Sequence, residues 1–247
     1  MRRVPLFGLV AAACVLLSAC GGHKKTARNV PPPPTVMPAE VTAPPATSAE
    51  TDAGIPHDNG SLHHGKVLYV ETGLASWYGP PYNHRRGSNG QIYDQNALTA
   101  AHRTLPLNSV VRVTNVTTGR SVVVRITDRG PFIEGRMLDL SLAAAKAVDV
   151  WRAGTAEVKL EVLSTPASIT EGGRWCVQIG AFQSEHEARK LADRLQDRYE
   201  GAQVIQFTGP TGEWVRIRPE GDDKRKAEEV ASRTHVKEGG VFLVRLD

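Results

Sequence analysis

Two short runs of β-branched residues, Ser109-Val-Val-Arg-Val-Thr114 and Ser121-Val-Val-Val-Arg-Ile-Thr127, flank the turn-forming segment Thr117-Thr-Gly-Arg120. Side chains branched at Cβ are stiff and suit a pleated surface better than a helix. With a glycine-bearing turn between them, the two runs predict a β-hairpin. Similar short runs divided by turn residues fill the region from Val67 to about Leu163. Within it, Ser141 is placed to cap a short helix over 142–148, and Glu157 to Leu163 alternates as a closing strand. The reading is a small β-barrel with an inserted helix.

After a second linker, Ser164 to Gly173, the pattern becomes strand, helix, strand, strand, helix, strand, which predicts an α+β sandwich. In the strand 175–182, strict alternation puts Trp175, Val177, Ile179 and Ala181 on one face and Gln178, Gly180 and Phe182 on the other. The helix 185–199 gathers Ala188, Leu191, Ala192 and Leu195 on one stripe. A strand over 213–218 turns Val215 and Ile217 inward, and a helix near 224–234 and a strand over 241–245 complete the unit. Both helices are expected on one sheet face. The other face is expected to be open, displaying Gln178, Phe182, Trp214 and Arg216 for hydrogen bonds and ring stacking.

The first residues read as an export signal, with Arg2 and Arg3 ahead of an apolar stretch, Leu6 to Ser18, too short to span a bilayer. It ends in Leu17-Ser18-Ala19-Cys20, which resembles the lipobox of bacterial lipoproteins and implies lipidation of Cys20. Gly21 follows, where an Asp would favour the inner membrane, so the resemblance points to the outer one. From Gly21 to about Gly65 the chain is rich in Pro, Ala, Thr and Ser, a solvated linker with a reach of roughly 40 to 150 Å. His57, His63 and His64 at its far end match no metal-ligand spacing. With 247 residues there is room for two small domains and this linker. The net charge of +4 is interspersed, so nothing demands nucleic acid. Setting aside Cys14 in the signal and Cys20, the one remaining thiol is Cys176, which rules out an intramolecular disulfide and calls for burial in an oxidising compartment.

Three segments carry a specific pattern: Gly73-Leu-Ala-Ser-Trp-Tyr-Gly79, Leu98-Thr-Ala-Ala-His-Arg-Thr-Leu-Pro106, and Val124-Arg-Ile-Thr-Asp-Arg-Gly-Pro-Phe132 with Met137-Leu-Asp-Leu-Ser141 behind it. In order and spacing they resemble the RlpA family of septal lytic transglycosylases, built on a double-psi β-barrel. The resemblance covers Gly73 to about Leu163. The part opening with Trp175-Cys-Val-Gln-Ile-Gly-Ala-Phe182 resembles a SPOR domain. The expected division is a signal peptide at 1–19, a lipidated cysteine and linker at 20–66, a barrel at 67–163, a linker at 164–173 and a SPOR domain of βαββαβ type at 174–247.

The family implies cleavage of peptidoglycan between N-acetylmuramic acid and N-acetylglucosamine without water, leaving a 1,6-anhydro end. It also implies a preference for septal strands stripped of stem peptides, and no cofactor or metal. Partners are then peptidoglycan, the membrane that holds the lipid, and septal proteins. Family pattern places the catalytic acid on Asp128, with His102 orienting it or touching the sugar. Tyr78 offers a ring face, as does Trp77. Arg85 and Arg86 read as solvated charge, and Asp139 as structural. The chain departs from the family at Asn89-Gly90-Gln91, where Glu is usual: Gln91 cannot titrate and is assigned to substrate positioning. Asp94 is the nearest replacement carboxyl. If the Glu is essential, the alternative is a non-catalytic glycan-binding scaffold at the septum.

Overall fold

The computed structural model describes residues 66–79 and 82–247; Cys20, the linker and its histidines lie outside them. Six strands close a barrel: β1 (Tyr69–Trp77), β2 (Thr99–His102), β3 (Val110–Asn115), β4 (Ser121–Asp128), β5 (Arg136–Leu140) and β6 (Thr155–Ser164), in the order β1-β5-β2-β4-β3-β6. Helix α1 (Leu142–Ala147) lies between β5 and β6. The pairs β1–β5 and β2–β4 are parallel, whereas β3–β4, β3–β6, β1–β6 and β2–β5 are antiparallel. Alternation sets the core, with Val111 and Val113 of β3, Val124 and Ile126 of β4, and Val158, Leu160 and Val162 of β6 all pointing inward.

The β3–β4 hairpin is held by a side chain that the sequence does not announce. Asn115 is buried; its Oδ1 accepts from the Thr117 and Thr118 amides at 2.9 and 3.2 Å, and its Nδ2 donates to the Val148 carbonyl at 2.8 Å. One residue thus closes the turn and fastens it to the end of α1. Ser141 does cap α1 as expected, accepting from the Ala144 amide at 3.2 Å and donating to the Ala97 carbonyl at 2.6 Å.

The second unit is a four-stranded antiparallel sheet, β10-β7-β9-β8, formed by β7 (Trp175–Phe182), β8 (Gln203–Gly209), β9 (Gly212–Arg218) and β10 (Gly240–Arg245). Helices α2 (Glu185–Arg198) and α3 (Lys224–Arg233) pack on one face over Trp175, Val177, Ile179, Val215 and Ile217. Two expectations for this sheet need correction. Phe182 belongs to the helix-covered core, not the opposite face, because the β7–β9 register shifts between Gly180 and Phe182. At Gly180 the backbone has φ +143°, and a Cβ there would sit 2.8 Å from both the Glu213 carbonyl and the Trp214 ring, so only glycine fits. Ala181 takes the place Phe182 was expected to hold.

Nor is the second face open. Cys176, Trp214, Phe242 and Val244 form a buried cluster that Phe132 of the barrel joins, its ring edge-on to Trp214 and Phe242 at 5.6 and 5.7 Å. Hydrogen bonds extend the contact, from the Arg245 amide to the Arg103 carbonyl at 3.0 Å and from the Leu107 amide to the Asp247 carbonyl at 3.2 Å. Trp214, expected to be exposed, is only 4% so.

Replacing Asn115 with Ala strips partners from two amides and a carbonyl, at a cost on the order of 3 kcal/mol. A urea titration of Asn115→Ala should show its midpoint lowered with the slope unchanged.

Candidate functional site

A cleft of about 470 Å³ opens between the barrel and the second sheet. Asp128 lies on its wall at the end of β4, as the sequence suggested. Its Oδ1 accepts from the Ser88 amide at 2.9 Å, the Ser88 hydroxyl and the Arg129 amide at 2.8 Å. The carboxylate is therefore fixed in direction by two backbone donors, with its other oxygen free of protein partners among the described residues.

A second carboxyl shares the cleft. Asp139 of β5, read from sequence as structural, faces it with its side chain only 13% exposed. The Ser76 hydroxyl donates to its Oδ1, and Arg136 Nη2 lies 3.4 Å from its Oδ2. Burial pushes its pKa above the usual carboxylate range, against the opposing pull of Arg136 and Ser76. No sequence signal marks this, because β5 is an ordinary strand whose neighbours alone create the environment.

The aromatic wall is Tyr78, Tyr82 and Tyr93. Tyr78 lies 4.3 Å from Tyr93 and edge-on to Tyr82 at 6.1 Å, so its ring is packed among aromatics, and it also lines the cleft. Burial pushes all three hydroxyl pKa values up, Tyr93 to about 12, and the nearby Asp128 and Asp139 charges add to the rise for Tyr78 and Tyr82. Trp77 also lines the cleft. From the second sheet come Gln178, Trp214 and Arg216, with Arg216 Nη2 donating to Gln178 Oε1 at 2.7 Å. Phe182 does not reach it, being on the other side of the sheet.

Two expected site residues lie elsewhere. Gln91 is exposed, bonded to Asn89 through its own amide at 3.0 Å and its Oε1 at 2.9 Å, and is not part of the cleft wall. Its neighbours Gly87 and Ser88 are. Asp94 accepts from the Asn96 amide at 2.8 Å in a turn and does not replace it.

His102 is 3% exposed. Its Nδ1 accepts from the Thr104 and Leu105 amides at 3.2 and 3.1 Å, and its Nε2 lies 3.3 Å from Glu71. Orienting Asp128 or touching a sugar requires a ring nitrogen, and both are taken. What His102 supplies to the loop after Asp128 is its carbonyl, which accepts from Arg129 Nη1 at 3.0 Å. Arg129 also binds the Leu105 and Asp247 carbonyls, both at 2.6 Å. Among the described residues no three His, Cys, Asp or Glu side chains gather as a metal site.

With this geometry in view, comparison with known proteins defines the class. Residues 70–160 match the double-psi barrel model described as "Lytic transglycolase", and residues 171–245 match the SPOR domain. Over these two domains the chain is similar to proteins of the RlpA family. It is 42% identical to the endolytic peptidoglycan transglycosylase RlpA of Campylobacter jejuni over 56% of this chain and 60% of that one. With the protein of that name from Vibrio cholerae the figures are 41%, 58% and 57%, and with that from Neisseria meningitidis serogroup B they are 46%, 53% and 56%. The chain thus spans a little over half the length of these relatives.

The His102–Glu71 pair yields a pH signature. Burial lowers the His102 pKa below 6.5, with Glu71 pulling it partly back, and the His102 hydrogen bond lowers that of Glu71 below 4.5. Both groups bind protons more weakly folded than unfolded, so each stabilises the fold above its unfolded pKa and loses that contribution on acidification. Unfolding free energy should fall as pH drops below 6.5, and His102→Gln should flatten that slope between pH 6.5 and 4.5 in urea titrations.

Proposed function

We propose that this chain is a lytic transglycosylase that cuts peptidoglycan glycan strands between N-acetylmuramic acid and N-acetylglucosamine, leaving a 1,6-anhydro end. The observation that carries the reading is two aspartates in one cleft under different constraints, Asp128 anchored by backbone amides and Asp139 favoured in its acid form by burial. Asp139 donates its proton to the glycosidic oxygen as the bond to C1 of the muramic residue breaks. The 6-hydroxyl of that residue bonds to C1 and gives its proton to Asp128, which then releases it to solvent while solvent returns a proton to Asp139. Since the nucleophile is already tethered to the reacting sugar, no water need be positioned.

Gln91 lies outside the cleft wall and both aspartates remain in it, which supports the catalytic reading over a non-catalytic scaffold. The relatives named endolytic peptidoglycan transglycosylases support the same reading. The lipobox-like end of the signal supports a lipid on Cys20, holding the protein on the periplasmic side of the outer membrane. Its SPOR domain supports binding of peptide-free strands at the division septum.

The test is to incubate the full chain with amidase-treated sacculi and follow anhydro-muramyl ends by mass spectrometry. Asp128→Asn and Asp139→Asn should each slow their appearance by about a hundredfold or more. Reducing ends in place of anhydro ends, or no cleavage by the unaltered chain, would overturn the reading. Activity should decline as pH rises and Asp139 loses its proton. Arg136 opposes the raised pKa of Asp139, so Arg136→Gln should move that decline to higher pH; an unmoved limb would remove Asp139 from the role of acid.

A further inference from the structure

Five arginines line the cleft, Arg85, Arg86, Arg129 and Arg136 from the barrel and Arg216 from the second sheet, against two aspartates. Among the described residues only Arg136 has a carboxylate within 4.0 Å. Arg129 is committed to three backbone carbonyls. That leaves Arg85, Arg86 and Arg216 without a carboxylate partner: Arg85 and Arg86 are exposed at the cleft rim, Arg86 Nη1 donating to the Gly90 carbonyl, and Arg216 Nη2 donates to Gln178 Oε1. Arg216 lies with its guanidinium 5.1 Å from the Phe207 ring centre, and its buried Nε has no hydrogen-bond partner. The Nε atoms of Arg129 and Arg136 are in the same condition. Such a concentration of under-used, permanently charged donors favours a ligand that brings an anion with it.

We propose that the cleft is a single glycan site built by both domains, in which Arg85 and Arg86 from one wall and Arg216 from the other receive the lactyl carboxylate of a muramic residue without its stem peptide. The proposal rests on the reading above for the identity of the glycan. Removing the peptide by amide hydrolysis frees that carboxylate. With the peptide present, the same position is a neutral amide carrying a bulky chain. Charge-assisted bonds to guanidinium distinguish an anion from an amide. Selection of peptide-free strands then belongs to the cutting site itself, and the docked second domain supplies part of it.

The test uses the full chain carrying Asp128→Asn and two probes: a peptide-free tetrasaccharide with free lactyl carboxylates, and the same tetrasaccharide with each converted to its N-methylamide. Calorimetry should give one tetrasaccharide per chain and affinity about tenfold or more weaker for the amide. Arg216→Gln and the double change Arg85→Gln with Arg86→Gln should each weaken binding of the acid form and leave the amide form unchanged, whereas Arg216→Lys should keep much of the preference for the acid. Equal affinity for the two probes would overturn the proposal. So would loss of both affinities together in the glutamine variants, or two sites per chain lost separately in the two variants. Failure of the catalytic reading looks different: carboxylate-selective binding persists while the unaltered chain releases no anhydro ends.

Discussion

The guanidinium of Arg129 sits where three backbone carbonyls converge: those of His102 and Leu105 from the barrel and that of Asp247 from the end of the second domain. Burial holds its pKa down to about 10, yet it stays charged at neutral pH. Its own amide binds Asp128. One residue therefore sets the direction of a cleft carboxylate, holds the segment after β2 in place and fastens the two folded units together. The cis Gly130–Pro131 peptide and Phe132 follow directly, so the loop that carries Asp128 also carries the ring against which the second sheet packs.

Those elements whose causes are local were legible in the sequence. The β3–β4 hairpin follows from two β-branched runs about a glycine turn, and α1 from Ser141 ahead of a stretch of alanines. The βαββαβ order follows from strict alternation followed by a helical stripe. Phe182 shows where this logic stops. Alternation assumes an unbroken register, and the shift at Gly180 moves every later side chain of β7 to the other face. Trp214 shows a second limit. Its side of the sheet was assigned correctly, but its burial depends on Phe132, a residue 82 positions earlier in a different domain.

The site divides along the same line. Asp128 could be found because a strand-end aspartate before Gly-Pro is a pattern within one segment. Asp139 could not, since its chemistry is made by Ser76, Arg136 and the closing of β1 onto β5. His102 was singled out as a motif residue, whereas its ring is spoken for by Glu71 from β1 and by two amides beyond its own strand. Residue type and spacing identify which side chains belong to the motif. They do not say which direction a side chain points, and direction separates a proton carrier from a structural tie.

Cys176, the lone thiol of the folded region, lies in the cluster where Phe132 meets the second sheet, fully buried and with its pKa pushed up by that burial to about 11. A protonated, covered sulfur is inert toward oxidants, which suits an oxidising compartment. The same placement makes it an internal timer. A thiol reagent can reach the sulfur only in the moments when barrel and sheet have parted, so the rate of its modification measures how often the two halves of the cleft come open.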